Sequence, residues 1–271
     1  MRLGMRRAAL ALIAPLFLAH PAGALSPDDV IRAALLNGWQ TADGTHMAAL
    51  RLDLAPKWKT YWRAPGDTGI PPVFDWSGSE NLSAVRLHWP RPSVFHLNGM
   101  QTIGYHDALV LPVEVTPADP ARPVRLKLRV DMGVCEDICM PASVSLAADL
   151  VAPGAPDAAI RAALDDQPER AAAAGLGDVS CAVTPIADGL RVSARMALPP
   201  VGRDEVVVFE TGRDAVWIAE SVEERQGGEL LAWTEMVPPE GAPFALDRSR
   251  VVMTVIGEAR AVEIRGCPAA P

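Results

Sequence analysis

Proline and glycine are the residues that most restrict what this chain can fold into. The 271 residues include 25 prolines and 21 glycines, which are scattered without a Gly-X-Y period. Because proline breaks helix interiors and glycine favours turns, this distribution favours many short strands over long helices and excludes a collagen-like fibre. With 49% hydrophobic and 21% charged residues, the chain can build a sizeable core and is not expected to be disordered.

Alternating apolar and polar residues support a β-rich fold. The alternation is clearest in the two segments 124–132 and 144–150, which flank a pair of cysteines. Further strands are predicted at 47–54, 82–89, 109–115, 190–198, 205–210, 216–223, 230–237, 251–256 and 261–264. Strands that recur every ~8–12 residues are typical of a β-sandwich. We therefore predict an all-β fold of two antiparallel β-sandwiches in tandem, joined by a partly helical linker.

The first 24 residues resemble a secretory signal peptide. Arg2, Arg6 and Arg7 precede an apolar run over 8–19, and small residues at 22–24 suit cleavage. A short membrane anchor is the alternative, but the run is below the ~20 residues needed to span a bilayer. We predict a signal peptide at 1–24 and a periplasmic location.

The composition changes near residue 150 and suggests domain boundaries. We predict a first sandwich at 25–151, an Ala- and Pro-rich linker at 152–177 and a second sandwich at 178–271. Within the linker, Asp157 is a suitable N-cap for a short helix that Pro168 would end.

Charge and motifs exclude several functions. The net charge of −8 argues against nucleic-acid binding, which needs a basic face to meet phosphates. The sequence contains no GxSxG, HExxH, P-loop or dinucleotide fingerprint, and we predict neither a cofactor nor a metal. Whether the protein is an enzyme stays open at this point.

The spacing of the four cysteines predicts two different pairs. In an oxidising compartment cysteines usually pair. A three-residue hairpin loop would place Cys135 opposite Cys139, within disulfide reach. Cys181 and Cys267 lie near the two ends of the second half, and closing that loop stabilises the fold by ~4–5 kcal/mol, so we predict a structural disulfide there.

The short pair is the better candidate for redox chemistry. Closing its loop stabilises the fold by only ~2 kcal/mol, although a plain hairpin staple is the alternative. Because Glu136 and Asp137 disfavour a neighbouring thiolate, the pair suits a carrier of electrons rather than a strong nucleophile. We expect Cys135 to link to a partner and Cys139 to resolve the link, since Pro141 and the apolar strand after it suggest that Cys139 lies deeper.

Three stretches of sequence resemble a known family, the N-terminal periplasmic domain of the thiol–disulfide interchange protein DsbD in its stand-alone or ScsB-like form. The resemblance covers about residues 28–150. It is carried by Trp58–Pro72 followed by Asp75-Trp76, by Gly104-Tyr105 leading into Leu109–Val113, and by Val134-Cys135 to Cys139-Met140-Pro141.

The resemblance implies an immunoglobulin-like sandwich whose pair, Cys135 and Cys139, relays reducing equivalents to thioredoxin-like periplasmic proteins. The best-known members have a longer cysteine spacing and carry their own membrane domain, so here a separate integral-membrane protein would donate the electrons. The family also shields its pair with a mobile aromatic loop, for which Phe95–Tyr105 is our candidate and an ordinary hairpin the alternative. Residues that would shield the pair or contact a partner are Phe95, Tyr105, Tyr61 and Trp62.

Two other functions remain open from the sequence. Cys135, Cys139 and Met140 are soft ligands that would suit Cu(I), with further ligands from Met100, Met132, His96 or His106. The third interpretation is a non-catalytic secreted β-sandwich that binds a protein partner and uses the cysteine pair as a staple.

Overall fold

A computed structural model describes residues 26–97, 99–212, 215–239 and 245–270. The predicted signal peptide and Asn98 lie outside these ranges. The fold is mostly β, as predicted. Within the described ranges no helix is both long and apolar enough to cross a bilayer.

Residues 26–150, which we call the N-terminal unit, form two sheets. One sheet has the strand order β1-β2-β8-β5; the other, which we call the cysteine sheet, has the order β10-β9-β3-β7-β6, with β4 also paired to β9. The elements are α1 (Pro27–Val30), β1 (Ile31–Gln40), β2 (His46–Leu54), β3 (Lys59–Gly66), β4 (Val73–Asp75), β5 (Leu82–Leu87), β6 (Ser93–Leu97), β7 (Met100–His106), β8 (Ala108–Pro117), β9 (Val124–Cys135) and β10 (Cys139–Leu150).

The two sheets enclose one apolar core. Leu50 and Leu111 of the first sheet and Trp62 and Leu128 of the cysteine sheet are buried in the same cluster. Along β9 the even-numbered positions are buried, those from 128 to 134 in this core and Val124 and Leu126 in a smaller cluster, whereas the odd-numbered positions from 125 to 129 are exposed. Burying each large apolar side chain contributes ~1.5–3 kcal/mol, which fixes the register because a one-residue slip would turn all of them outwards.

Helix α2 (Ala158–Asp165) lies between the two halves of the chain. The Asp157 carboxylate accepts hydrogen bonds from the backbone N–H groups of Ala159 and Ile160, so the expected N-cap is present. Ile160 packs against Met47 and Ala49 of β2, which attaches the helix to the N-terminal unit.

Residues 169–270, which we call the C-terminal unit, also form two sheets. Their orders are β11-β19-β18-β14 and β12-β13-β17-β15, with β16 also paired to β17. The strands are β11 (Glu169–Arg170), β12 (Val179–Pro185), β13 (Leu190–Met196), β14 (Val206–Glu210), β15 (Trp217–Ile218), β16 (Val222–Gln226), β17 (Glu229–Val237), β18 (Val252–Ile256) and β19 (Ala261–Arg265), with a 3-10 helix at Arg248–Arg250. The single strand expected at 216–223 is therefore two short strands, and β11 falls inside the segment expected to be a linker.

The Cys181–Cys267 disulfide joins β12 to the segment after β19. Both cysteines are buried, and the Arg248 guanidinium donates hydrogen bonds to both of their backbone carbonyls, at 3.1 and 3.2 Å. The bond therefore lies inside the C-terminal unit as part of its packing.

Candidate functional site

The Cys135–Cys139 disulfide closes the hairpin between β9 and β10. The two residues are direct partners in the ladder, and their Cα atoms are 4.1 Å apart. The three loop residues are Glu136, Asp137 and Ile138, and the Glu136 N–H donates to the Ile138 carbonyl at 3.3 Å. This is the hairpin that the cysteine spacing predicts.

The two cysteines differ in exposure, in the opposite sense to our expectation. Cys135 is only 1% exposed, whereas Cys139 is an exposed residue. The expectation that Cys139 lies deeper was wrong because β10 is the edge strand of the cysteine sheet, while β9 lies between β10 and β3. A reagent from solution therefore meets Cys139 first.

Tyr61 of β3 contacts both sulfurs. Its hydroxyl donates a hydrogen bond to Cys135 Sγ at 2.8 Å and lies 3.4 Å from Cys139 Sγ. Tyr61 is itself buried, and this burial raises its pKa, so the hydroxyl keeps its proton and remains a donor. The buried sulfur therefore has a fixed hydrogen-bond donor beside it.

Two glycines make room for Tyr61 on the outer face of the sheet. A Cβ on Gly133, two residues before Cys135, would lie 3.2 Å from Tyr61 Cε2 and 2.8 Å from Ile70 Cβ. A Cβ on Gly104 would lie 2.0 Å from the Thr60 carbonyl oxygen. The chain can approach this closely only without side chains at these two positions.

Residues 66–72, which we call the cover segment, lie over the Tyr61 ring. A Cβ on Gly69 would be 2.8 Å from Tyr61 Cδ1, and Ile70 sits above Gly133. Gly66 begins the segment with φ +80° and passes close to the Gln101 carbonyl, a conformation that favours glycine. Tyr61 and the cover segment thus bury the outer face of the sheet at its cysteine end, where Cys135 lies.

Charged and aromatic side chains lie around the loop of the Cys135–Cys139 hairpin. Lys59 lies in register opposite Cys135, its ammonium 5.5 Å from the centre of the Phe95 ring, and Phe95 contacts His106 at a ring distance of 4.2 Å. Lys57 Nζ lies 3.8 Å from Glu136 Oε1. A shallow cavity of about 420 Å³ is lined by Lys57, Lys59, Phe95, His96, His106, Glu136 and Asp137.

Sequence reasoning missed Lys59, because it lies opposite Cys135 on a strand that is far away in the sequence. The structure also places Trp62, Tyr105 and Phe95, which the sequence analysis expected to shield the pair or contact a partner. Trp62 is fully buried in the core, and Tyr105 is buried with its hydroxyl donating to the Pro90 carbonyl at 2.8 Å. The 95–105 segment forms the β6–β7 hairpin, with Phe95 in the wall of the cavity.

The residues named as copper ligands lie in different surroundings, with His96 and His106 both lining the cavity beside the hairpin. Met132 is buried in the core of the N-terminal unit. Across the residues that the structure describes, no group of three or more His, Cys, Asp or Glu side chains is arranged to hold a metal ion.

Comparisons with known proteins found a matching family and a structure of similar fold. The sequence profile of the family described as "Thiol:disulfide interchange protein DsbD, N-terminal" matches residues 28–150. The crystal structure of the N-terminal periplasmic domain of ScsB from Proteus mirabilis is similar, with a TM-score of 0.68 and 21% identity, over 92% of this chain and 97% of that chain. At that identity the likeness concerns the fold. The search of curated proteins found no match. Residues 28–150 therefore form a DsbD N-terminal-like domain.

Proposed function

We propose that this protein is a periplasmic thiol–disulfide exchange protein that relays reducing equivalents through Cys135 and Cys139. The observation that carries the proposal is the asymmetry of the disulfide: an exposed cysteine is bonded to a buried one whose sulfur accepts a hydrogen bond from a hydroxyl group. A purely structural staple needs neither feature. The match to the DsbD N-terminal family supports a thiol–disulfide role.

The proposed exchange begins at Cys139. A thiolate of the electron donor attacks Cys139 Sγ, forms a mixed disulfide and breaks the Cys135–Cys139 bond, and Cys135 leaves as a thiolate next to the Tyr61 hydroxyl. The donor's second thiol then attacks the mixed disulfide, so the donor is oxidised and the pair is left with two thiols. The same steps in reverse pass two electrons to an acceptor.

We further propose the partners and the surface that meets them. The acceptor is a thioredoxin-like protein and the donor an integral-membrane protein, as the family resemblance implies. Around the exposed Cys139, Ile138 is 72% exposed and Ile70 is 42% exposed, and both offer apolar contact to a partner. Phe95 and the neighbouring charged side chains line the cavity beside them, while Tyr61 and the cover segment shield Cys135.

The proposal also covers the architecture of the two units, the distal disulfide and the first 24 residues. We propose that the N- and C-terminal units are immunoglobulin-like sandwiches, that Cys181–Cys267 is structural, and that the first 24 residues direct export. The support is the pair of facing sheets in each unit, the burial of both distal cysteines and the likeness to a periplasmic domain.

Transfer of electrons tests the proposal. We would mix the protein, reduced only at Cys135 and Cys139, with an oxidised thioredoxin-like protein and count free thiols by alkylation and mass spectrometry. The account predicts that two thiols disappear from this protein as two appear in the acceptor, and that Cys139→Ala abolishes the transfer. Failure of every thioredoxin-like acceptor tried, combined with tight Cu(I) binding by the reduced protein, would favour the copper interpretation instead.

A further inference from the structure

The C-terminal unit is attached to the strand that carries Tyr61. The Arg63 guanidinium donates to both carboxylate oxygens of Glu210, at 2.9 Å each, and to Glu263 at 3.1 Å. Glu210 ends β14 and Glu263 lies in β19, so both belong to the C-terminal unit. The three side chains are only 20–26% exposed, and a bidentate arginine–carboxylate pair holds its partners in a fixed orientation.

This attachment falls where β3 loses its support from the cysteine sheet. Strand β3 pairs with β9 only at Lys59 and Thr60, and its pairing with β7 is interrupted between Tyr61 and Gly66. The Tyr61 backbone is therefore the last paired position before an irregular stretch of four residues. Trp62 anchors that stretch to the core, and Arg63 anchors it to the C-terminal unit.

Arg63 lies beside open space between the two units. It lines a cavity of about 920 Å³ together with residues 64–67 of the N-terminal unit and residues 207–212 and 215–221 of the C-terminal unit. Arg63 and Glu263 also line a second cavity, of about 930 Å³. Elsewhere Val208, Ile256 and Ala261 of the C-terminal unit pack against the core of the N-terminal unit. The ion pair thus joins the two units beside these cavities, directly before β3 leads into the cover segment.

From this arrangement we propose that Arg63 is a positioning residue and that the C-terminal unit, through Glu210 and Glu263, holds the end of β3 so that the Tyr61 hydroxyl meets the cysteine sulfurs. The proposal rests on the proposed redox function and gives the C-terminal unit a part in it. Without the ion pair, β3 between Tyr61 and Gly66 moves, and the hydroxyl no longer stays within hydrogen-bond distance of Cys135 Sγ. The equilibrium between the disulfide and the dithiol then shifts, although no residue near the sulfurs has been changed.

The experiment measures the equilibrium of Cys135–Cys139 with a small dithiol in a double-mutant cycle. The variants are Glu210→Gln/Glu263→Gln, Tyr61→Phe and their combination. Glu205→Gln is the matched control, since Glu205 forms a buried ion pair with Arg225 entirely within the C-terminal unit. Arg63→Gln breaks the same contact from the other side, and thermal unfolding of every variant shows that it is folded.

We expect the equilibrium constant for reduction to fall about fivefold in Glu210→Gln/Glu263→Gln and in Arg63→Gln. This corresponds to a reduction potential that is lower by ~20 mV, because a tenfold change in the constant equals ~30 mV. In the Tyr61→Phe background the same changes should have less than about a twofold effect, because they act through the hydroxyl. Glu205→Gln should leave the constant unchanged.

Two results would overturn the proposal: an unchanged constant in both ion-pair variants, or an equal shift with and without the Tyr61 hydroxyl. Both can be distinguished from a failure of the proposed function. The dithiol equilibrium needs no protein partner, whereas the proposed function fails only if transfer to thioredoxin-like proteins does not occur.

Discussion

Replacing Tyr61 by phenylalanine removes one oxygen atom from the site and leaves the ring that packs under the cover segment. In the oxidised protein little should change, because a disulfide sulfur is a weak hydrogen-bond acceptor. In the reduced protein the Cys135 thiolate loses a donor that lies 2.8 Å away in the disulfide form. A hydrogen bond to a charged group contributes ~1.5–3 kcal/mol, and 30 mV corresponds to ~1.4 kcal/mol for this two-electron couple. We therefore predict that Tyr61→Phe lowers the reduction potential by at least ~30 mV under conditions where the thiolate predominates.

The assay is equilibration with glutathione or dithiothreitol buffers, followed by alkylation and mass spectrometry. Because the effect depends on the thiolate, the difference between wild type and Tyr61→Phe should grow from pH 6 to pH 9. A change in packing alone would give a difference that does not vary with pH in this way.

Tyr105→Phe is the matched control for this prediction. It removes a buried hydroxyl whose hydrogen bond goes to the Pro90 carbonyl rather than to a sulfur. We expect Tyr105→Phe to lower the free energy of unfolding by about 1 kcal/mol without changing the potential. A potential that Tyr61→Phe leaves unchanged or raises would refute the role of the hydroxyl.

Three further predictions follow from burial and packing. Mild reductant should open the bond to the exposed Cys139 while the bond between buried Cys181 and Cys267 persists, and simultaneous loss in thiol labelling would contradict this. Gly133→Ala should displace the cover segment, because the new Cβ would lie 2.8 Å from Ile70 Cβ. We expect the free energy of unfolding to fall by ~1–3 kcal/mol and the buried Cys135 thiol of the reduced protein to be alkylated faster. An unchanged alkylation rate would contradict the proposed shielding of Cys135 by the cover segment. Burial lowers the pKa of His46 in the folded protein below its value of 6.5 in the unfolded chain. The stability that neutral His46 contributes above pH 6.5 should therefore be lost on acidification, and the free energy of unfolding should change by at most ~1.4 kcal/mol per pH unit from this group. Urea unfolding at several pH values should show a weaker pH dependence in His46→Gln.

The local pattern of the sequence predicts the cysteine hairpin well. Alternation on both sides of the cysteines fixes the two strands, and a three-residue loop leaves one natural register, with Cys135 opposite Cys139. The Asp157 cap is equally local, since the side chain bonds N–H groups two and three residues away. Such features depend on neighbours along the chain.

The features that make the site chemically asymmetric depend on distant strands. Which half of the hairpin is the edge strand follows from the pairing of β9 with β3, so the order of burial could not be deduced from Pro141 and the apolar strand after it. Tyr61, which contacts both sulfurs, and Lys59, which lies opposite Cys135, belong to that same strand β3. The contact of Arg63 with Glu210 and Glu263 joins residues 147 and 200 positions apart, which no spacing argument can find. Gly133 was a usable signal, because a glycine within a strand indicates close approach of another group.

Trapping of the mixed disulfide tests the central claim, attack at the exposed Cys139, most directly. Each cysteine of the pair is replaced by serine in turn, and the reduced variant is incubated with an activated or oxidised thioredoxin-like partner. The account predicts that Cys135→Ser, which keeps the exposed Cys139, accumulates the mixed disulfide, and that Cys139→Ser, which keeps the 1% exposed Cys135, does not. Accumulation with Cys139→Ser alone would contradict the assignment of Cys139 as the reacting sulfur, and no adduct with either variant would contradict the exchange function itself.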